Sequence, residues 1–426
     1  MTTAAVVEPL TVETVELTGP DATAVSDLLE MLPATAPFAW IRHGDGLVGW
    51  GEAARLQVSG PDRFARAVRW WRHLRSTAVV SDAVGLPGCG PVVFGSFAFA
   101  DGPTPSTLVL PRVVLGRRAG RTWLTTVGGG STMVPPLRRH VRSAPYRVEI
   151  SDGALTAEQW RRAVAEAIDR IRAGELSKVV LARDLFARAD GPVDVRHVLH
   201  ALADAYPQCF TFTVDGLVGA TPELLIRRFG AAVASRVLAG TVWRSDDAGE
   251  ADAELAARLW DSTKEREEHA YAAHSAADAL RPHCSNLTVP DAPAVLALPN
   301  VVHLATEVTG TLSSGASALE LAGLLHPTAA VCGTPAASAA AVIAELEGMD
   351  RGRYAGPVGW MDATGDGEWG IALRCAQVEG DQLRLFAGCG IVAGSDPDVE
   401  LAETAAKFLA VRDTLDAVDV DSACLS

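Results

Sequence analysis

Glu265 and Glu268, in STKEREEHA, and Glu400 and Glu403, in PDVELAETAAKF, form two carboxylate pairs, each spaced i,i+3. On a helix each pair shares one face. Two such helices brought face to face would set four carboxylates around one point. That arrangement repels itself unless a hard divalent cation sits there. Mg²⁺ suits the set, because it takes oxygen ligands and keeps room for water or an anionic substrate. Solvated helix faces show the same spacing, since Glu is a common surface residue. The spacing alone leaves both readings open.

Other residues carry chemistry of their own. In SKVVLARDL, strand alternation puts Lys178, Val180 and Ala182 on one face. A lysine among small apolar neighbours reads as a partly buried amine, and burial favours the neutral form that acts as a base. A lysine guarding an edge strand gives the same pattern. Glu223, in GATPELLIRR, is either a carboxylate at a helix N-terminus or a general acid. Arg374 reads as mid-strand in IALRCAQV, where a buried guanidinium needs an anion, and a substrate carboxylate fits its fork. The glycines of AGT (239–241) and AGCGIVAGS (387–395) come right after strands. They make turns or let the backbone approach an anionic ligand. GCGIVAG is not a dinucleotide fingerprint, because no βαβ unit with a later acid surrounds it. His303 and Tyr354 are either satisfied core residues or part of a site.

These residues need a large scaffold, and the chain has one. It contains 426 residues, 48% hydrophobic and 21% charged, with net charge −15. That fits a globular protein with a substantial core. The acidic balance argues against nucleic acid as a partner. It leaves room for an anionic small molecule, because one metal ion or a few basic groups reverse the local field. Seven cysteines form no CxxC pair, which fits reduced thiols in a cytoplasmic protein. The N-terminus has no signal-peptide pattern, and no apolar stretch reaches membrane-spanning length.

Residues 1 to about 135 read as strand-like runs, with a hairpin around Gly44–Gly46, followed by a Gly/Pro-rich, basic connector. Thr156 is the N-cap of an amphipathic helix that ends at Gly174, and the strand SKVVLARDLFAR follows. CFTFTVDGLVGAT reads as one strand running into PELLIRRFG, and AAVASRVLAGTVWRS as a pair ending at an AGT turn. Then come a helix (251–282), a strand (298–309), a helix (316–326), a loop with a helix (327–347), three strands (357–363, 369–378, 382–393) and a last helix (396–418). The mixture predicts one large α+β domain, not a doubly wound parallel fold. Its parts are an N-terminal portion (1–145), a core (146–418) and a tail (419–426).

Taken together, SKVVLARDL, GATPELLIRR, LAGTVWR, STKEREEHAYAAHSAADALRP, VVHLATEVTGTL, LLHPTAAVCGTP, RGRYAGPVGWMDATGDGEWGIALRCAQV and AGCGIVAGSDPDVELAETAAKF resemble the chorismate-utilising enzymes, whose fold is that of anthranilate synthase component I, and among them the isochorismate synthases. The match covers roughly 150 to 415. The resemblance implies two mainly antiparallel sheets packed together, helices outside, and a chorismate site between the sheets. It matches Lys178 to the lysine that activates water for attack at C2, and Glu223 to the acid that protonates the departing C4 hydroxyl. Glu268 and Glu403 match the main Mg²⁺ ligands, with Glu265 and Glu400 beside them. Arg374 and Tyr354 match positions that hold the enolpyruvyl carboxylate. Gly240, Thr241, His303, Gly388, Gly390 and Lys407 match other substrate-site positions.

Within the family, ammonia-using members usually lack the lysine at Lys178, so the resemblance implies water as nucleophile and no glutaminase partner. Salicylate synthases share the lysine but tend to carry threonine where this chain has Ala330, in HPTAAVCGTP. The resemblance thus implies a monomeric isochorismate synthase, an isomerase serving menaquinone or siderophore biosynthesis. Salicylate synthase is the first alternative and a non-catalytic chorismate-binding subunit the second. Thr221, where many relatives have serine, and Cys389, where alanine is common, depart from the pattern without removing a functional group.

Overall fold

The computed structural model describes residues 10–128, 146–243, 252–297 and 301–415. Among these, two sheets carry the architecture. The first has 13 strands, running Val148–Asp152, Lys178–Ala189, Gln382–Ile391, Cys375–Glu379, Leu217–Thr221, Phe210–Val214, Pro37–Arg42, Asp45–Trp50, Val113–Arg118, Arg121–Val127, Thr11–Leu17 and Val79–Asp82, with Gly333–Thr334 added beside Lys178. The second has 10, running Cys284–Thr288, Val301–Leu312, Ala232–Trp243, Leu224–Phe229, Gly367–Ile371, Pro357–Asp362, Val92–Ser96, Ser106–Leu110 and Ala54–Val58, with Ala294–Ala297 beside Val301–Leu312. Among the described strands the pairing is antiparallel except between Thr11–Leu17 and Val79–Asp82. The expected α+β class with mainly antiparallel sheets is borne out.

Both sheets are built from early and late sequence. Ala39 pairs with Thr213 in the first, and Gly95 with Gly359 in the second. The inner faces meet in one apolar core. Trp40, Phe38 and Phe212 on the first sheet face Phe94 and Trp369 on the second, and the Phe38 and Phe94 rings stack at 5.7 Å. A second cluster covers the other face of the first sheet, beneath Leu28–Leu32, the Val195–Ala205 helix and Phe408.

Two helices that carry site residues dock on opposite sheets. Thr263–Leu280 packs on the Ala232–Trp243 strand, and Pro397–Arg412 packs on Gln382–Ile391. Ala157–Arg172 lies against Pro397–Arg412. Its N-cap is Thr156 with a full capping box to Gln159, as its spacing predicts. Trp160 on that helix donates its Nε1–H to the carbonyl of Ala182, 3.3 Å away, and so ties the helix to the strand that begins with Lys178.

Several expected elements differ. CFTFTVDGLVGAT is a hairpin, Phe210–Val214 and Leu217–Thr221, turning at Asp215 with φ +55°. The Asp215–Gly216 pair is turn chemistry hidden inside an apolar run. Ala232–Trp243 is one continuous strand; Gly240 makes a bulge in it instead of a turn. The long helix is two, Asp252–Asp261 and Thr263–Leu280, because Ser262 caps the second. The stretch 369–378 breaks into Gly367–Ile371 and Cys375–Glu379. Gly388 and Gly390 lie inside the Gln382–Ile391 strand, not after it. The last helix is Pro397–Arg412, followed by a short 3-10 turn to Leu415. The strand placed at 298–309 is Val301–Leu312. Helices Arg63–Ser76 and Val195–Ala205 were not anticipated. Most of the basic connector (129–145), and residues 416–426 with the tail, lie outside the described residues.

Candidate active site

The chain changes sheets twice at one place. Leu217–Thr221 belongs to the first sheet and Leu224–Phe229 to the second, so Pro222 and Glu223 span the gap. Gly367–Ile371 belongs to the second and Cys375–Glu379 to the first, so Leu373 and Arg374 span it in the other direction. The crossings are neighbours, because Gly219 pairs with Cys375 and Leu224 with Gly370. An acid and a guanidinium are thereby delivered between the sheets by topology. Glu223 precedes a strand, which removes the helix N-terminus reading. Arg374 sits at a crossing with φ +46°, not mid-strand. Both line one cleft, together with Val180, His303, Tyr354 and Lys407.

Lys178 opens its strand opposite Thr334, and from Val179 onward the strand also pairs with Gln382–Ile391, so the lysine does not guard an edge. It is completely buried. Val180, on the same face, reaches the cleft. Burial pushes the Glu223 carboxyl up to about 8, against the opposing pull of Lys178 and Arg374. At neutral pH Glu223 therefore carries a proton to give, which is what a general acid requires. The amide of Glu223 is held by Thr221 Oγ1 at 3.3 Å, so threonine at this position still serves a backbone contact.

Arg374 donates through Nη2 to Nε2 of His303 at 3.0 Å. Burial, then the charges of Arg374 and Lys407, hold His303 well below its ordinary pKa, so it is a neutral acceptor. The buried Nε of Arg374 has no hydrogen-bond partner among the described residues. A buried guanidinium edge left this way is a carboxylate site in waiting. Tyr354 is buried and stacks on Phe386 at 5.1 Å and 7°. Burial raises its pKa, so it stays a neutral hydroxyl. A Cβ on Gly388 would lie 3.1 Å from Tyr354 Oη and 3.0 Å from the Leu181 carbonyl; glycine leaves that space open. Gly390 pairs with Val180 across the strands, and Ala330 lines the cleft.

The acidic helices meet the cleft at their N-terminal halves. Ser262 Oγ accepts from the Glu265 amide at 3.3 Å, and Asp396 caps the other helix through the amides of Asp398 and Val399. Glu265 and Glu403 both line the cleft. Glu400 is buried, and its carbonyl accepts from Cys389 Sγ at 3.8 Å. Burial first, then the Glu400 and Glu403 carboxylates, drive the Cys389 thiol well above its ordinary pKa, so it is not a thiolate nucleophile. Lys407 Nζ donates to Glu403 Oε1 and to the Gly388 carbonyl, each at 2.7 Å. Burial opposes the Lys407 charge, but Glu403 keeps its pKa raised. Gly240, φ +75°, packs against the Glu265 turn, where a Cβ would lie 2.8 Å from the Glu265 carbonyl. Among the described residues no three His, Cys, Asp or Glu groups are close enough to hold a metal ion unaided. The side chains of Glu268 and Thr241 lie outside the described residues, though their backbones belong to the Thr263–Leu280 helix and the bulged strand.

Sequence reasoning missed Arg351. It is buried, lines the cleft and pairs with Glu347. The available signal was the i,i+4 spacing of Glu347 and Arg351 in ELEGMDR, just before the quoted RGRYAG segment.

Comparison with known proteins agrees with this geometry. Residues 10–132 and 136–416 match a family described as "Chorismate binding enzyme". The chain is 44% identical over 276 residues to isochorismate synthase DhbC of Bacillus subtilis, covering 62% of this chain and 68% of that protein. It is 32% identical over 398 residues to isochorismate synthase MenF of the same organism, covering 85% and 83%. The solved structure of MenF, the menaquinone-specific isochorismate synthase from Escherichia coli, superimposes with TM-score 0.77 at 27% identity, covering 96% of this chain and 95% of that one. The resemblance drawn from the motifs is thus borne out, and this chain belongs to the chorismate-binding enzyme family.

Proposed function

We propose that this chain is an isochorismate synthase that adds water at C2 of chorismate and expels the C4 hydroxyl. The observation that carries this reading is the buried, protonated Glu223 on the cleft wall, within electrostatic reach of the fully buried Lys178. Lys178 takes a proton from water as its oxygen bonds to C2. The ring double bonds shift, the C4–O bond breaks, and Glu223 delivers its proton to the departing oxygen. Water enters and water leaves, so the reaction is an isomerisation. A hydroxide leaving group needs that proton in the transition state. Arg374 and Tyr354 hold the enolpyruvyl carboxylate. Lys407 fixes Glu403, and Gly388 leaves the ring its space.

The donor set facing the cleft is all oxygen, which fits Mg²⁺. Glu265 and Glu403, with Glu268 and Glu400 beside them on the same helices, would hold the ion. When bound, it neutralises the ring carboxylate of the substrate. Water as nucleophile requires no glutaminase, and we read the protein as a monomer. Cys89, Cys209, Cys284, Cys332, Cys375 and Cys389 are free thiols, which supports a cytoplasmic setting. The name of the Escherichia coli relative supports a place in menaquinone biosynthesis, with siderophore biosynthesis as the alternative.

The test is turnover by Lys178→Ala and Glu403→Gln proteins that retain the wild-type circular dichroism spectrum. Loss of about 10²–10⁴-fold in kcat for Lys178→Ala supports the reading. Full activity in either variant sinks it.

A further inference from the structure

The strand that begins with Lys178 has an incomplete edge. On one side its partner is continuous, from Ile391 opposite Val179 to Gln382 opposite Arg188. On the other side Gly333–Thr334 pairs only with Lys178 and Val179, and Val148–Asp152 pairs only with Leu185–Ala189. Between these short partners, on that side, the backbone of Val180–Ala182 has no neighbouring strand among the described residues. Buried backbone groups need partners. Cys332 O accepts from Val180 N at 2.8 Å. The next two groups are met by side chains. Arg351 Nη2 donates to Val180 O at 2.7 Å, and Glu347 Oε1 accepts from Ala182 N at 2.7 Å.

Those two side chains form a buried ion pair of their own, with Arg351 Nε donating to Glu347 Oε2 at 2.9 Å. The guanidinium does more. Nη1 donates to Val331 O at 2.8 Å, beside Ala330, and the plane lies 4.2 Å from the centroid of the Phe99 ring. The Tyr354 amide donates to the Arg351 carbonyl at 3.1 Å. One residue thus ties together the Lys178 strand, the Ala330 loop and the Tyr354 turn, three walls of the same cleft.

We propose that the Glu347–Arg351 pair is a positioning device that stands in for a missing strand and sets the placement of Lys178 and Ala330 about the substrate. Its role rests on the reading of the cleft as the chorismate site. The guanidinium is spent on Glu347, Val180 O and Val331 O, so the pair acts through the backbone of Val180 and Val331. Lysine at 351 would keep the charge but cannot reach both carbonyls and the carboxylate at once, because it lacks the planar fork.

The experiment compares Arg351→Lys with wild type by kcat, KM for chorismate, the pH profile of kcat and a thermal melt. Wild-type turnover, measured first, tests the functional reading; the ratio of variant to wild type tests the positioning role. A misplacement near 1 Å costs about 10²-fold. The expected result is a folded protein whose kcat falls by about 10- to 100-fold with KM within about twofold, and whose pH profile shifts as Lys178 and Glu223 change separation. A lower melting temperature with unchanged kcat and pH profile would make the pair merely structural and overturn the proposal. If Arg351→Lys does not fold, Glu347→Gln, which keeps an oxygen for the Ala182 amide, is judged by the same readouts. Failure of both to fold also counts against a positioning role.

Discussion

Arg374 and His303 meet across the cleft, the guanidinium donating Nη2–H to the imidazole Nε2 over 3.0 Å. A neutral histidine thus accepts from an arginine whose Nε is still unspent. The pair comes from different elements of the fold, with His303 on the strand Val301–Leu312 and Arg374 at a sheet crossing. His303 aims the fork, and the fork awaits a planar anion. Arg374→Lys keeps the charge and loses the fork. The expected outcome is a KM for chorismate at least about tenfold higher with a smaller change in kcat, measured by steady-state kinetics. An unchanged KM would remove Arg374 from substrate binding.

Glu223 should make both activity and stability depend on pH. Its pKa of about 8 in the folded protein exceeds the ordinary carboxyl value, because burial disfavours the charge. As a general acid it works protonated, so kcat should decline as pH rises through about 8. For stability, the folded state binds the proton that the unfolded chain has already released between roughly pH 4.5 and 8. The group's contribution is intact below the lower value and is lost on rising through the upper one, at no more than about 1.4 kcal/mol per pH unit. Glu223→Gln should abolish turnover and yet melt higher than wild type at pH 8, with the difference vanishing near pH 4.5. Parallel melting curves across this range would contradict a buried, protonated Glu223.

How much of this was legible depended on the kind of signal. The helix capped by Thr156, the strand of Lys178 and the helical character of the two acidic segments were legible from local spacing, but the burial of Lys178 and the break at Ser262 were not. Glu223 and Arg374 were visible as residue types, but their shared location was not. It arises because the chain changes sheets at Pro222 and Leu373, which no local pattern encodes. The bulge at Gly240 was read as a turn because a positive-φ glycine serves either end. The Arg63–Ser76 helix was missed although Ala67, Val68 and Trp71 bury one face, since its many arginines mask the apolar stripe. Arg351 was passed over because two of its acceptors, the carbonyls of Val331 and Val180, lie 20 and 171 residues away, and the i,i+4 spacing to Glu347 is common on exposed helices.

Lys407 links the acidic helix to the cleft wall through Glu403 and the Gly388 carbonyl. Lys407→Met leaves the Glu403 carboxylate without its partner and Gly388 O without its donor. The expected result is a fall in kcat of at least about tenfold and a lower melting temperature, since breaking a partly buried charge pair leaves the Glu403 charge without its partner. Full activity and an unchanged melt would show the contact to be incidental.

Gly240 and Gly388 are tight spots with separable consequences. Gly240→Ala would strain a φ of +75° and push on the Glu265 turn, so the Mg²⁺ concentration for half-maximal activity should rise about tenfold or more. Gly388→Ala would press on Tyr354 Oη and the Leu181 carbonyl, so it should raise KM for chorismate and leave the Mg²⁺ requirement near wild type. Activity titrated against each ligand distinguishes them. Identical effects of the two substitutions would contradict the assignment of Glu265 to the metal side of the cleft.

The most direct test is chromatographic analysis of the products formed by the purified protein from chorismate and Mg²⁺, with an EDTA control. The expected final product is isochorismate, formed with Mg²⁺ and abolished by EDTA. Salicylate and pyruvate would keep the cleft but reassign the reaction, and no conversion at all would contradict the catalytic roles given to Lys178 and Glu223.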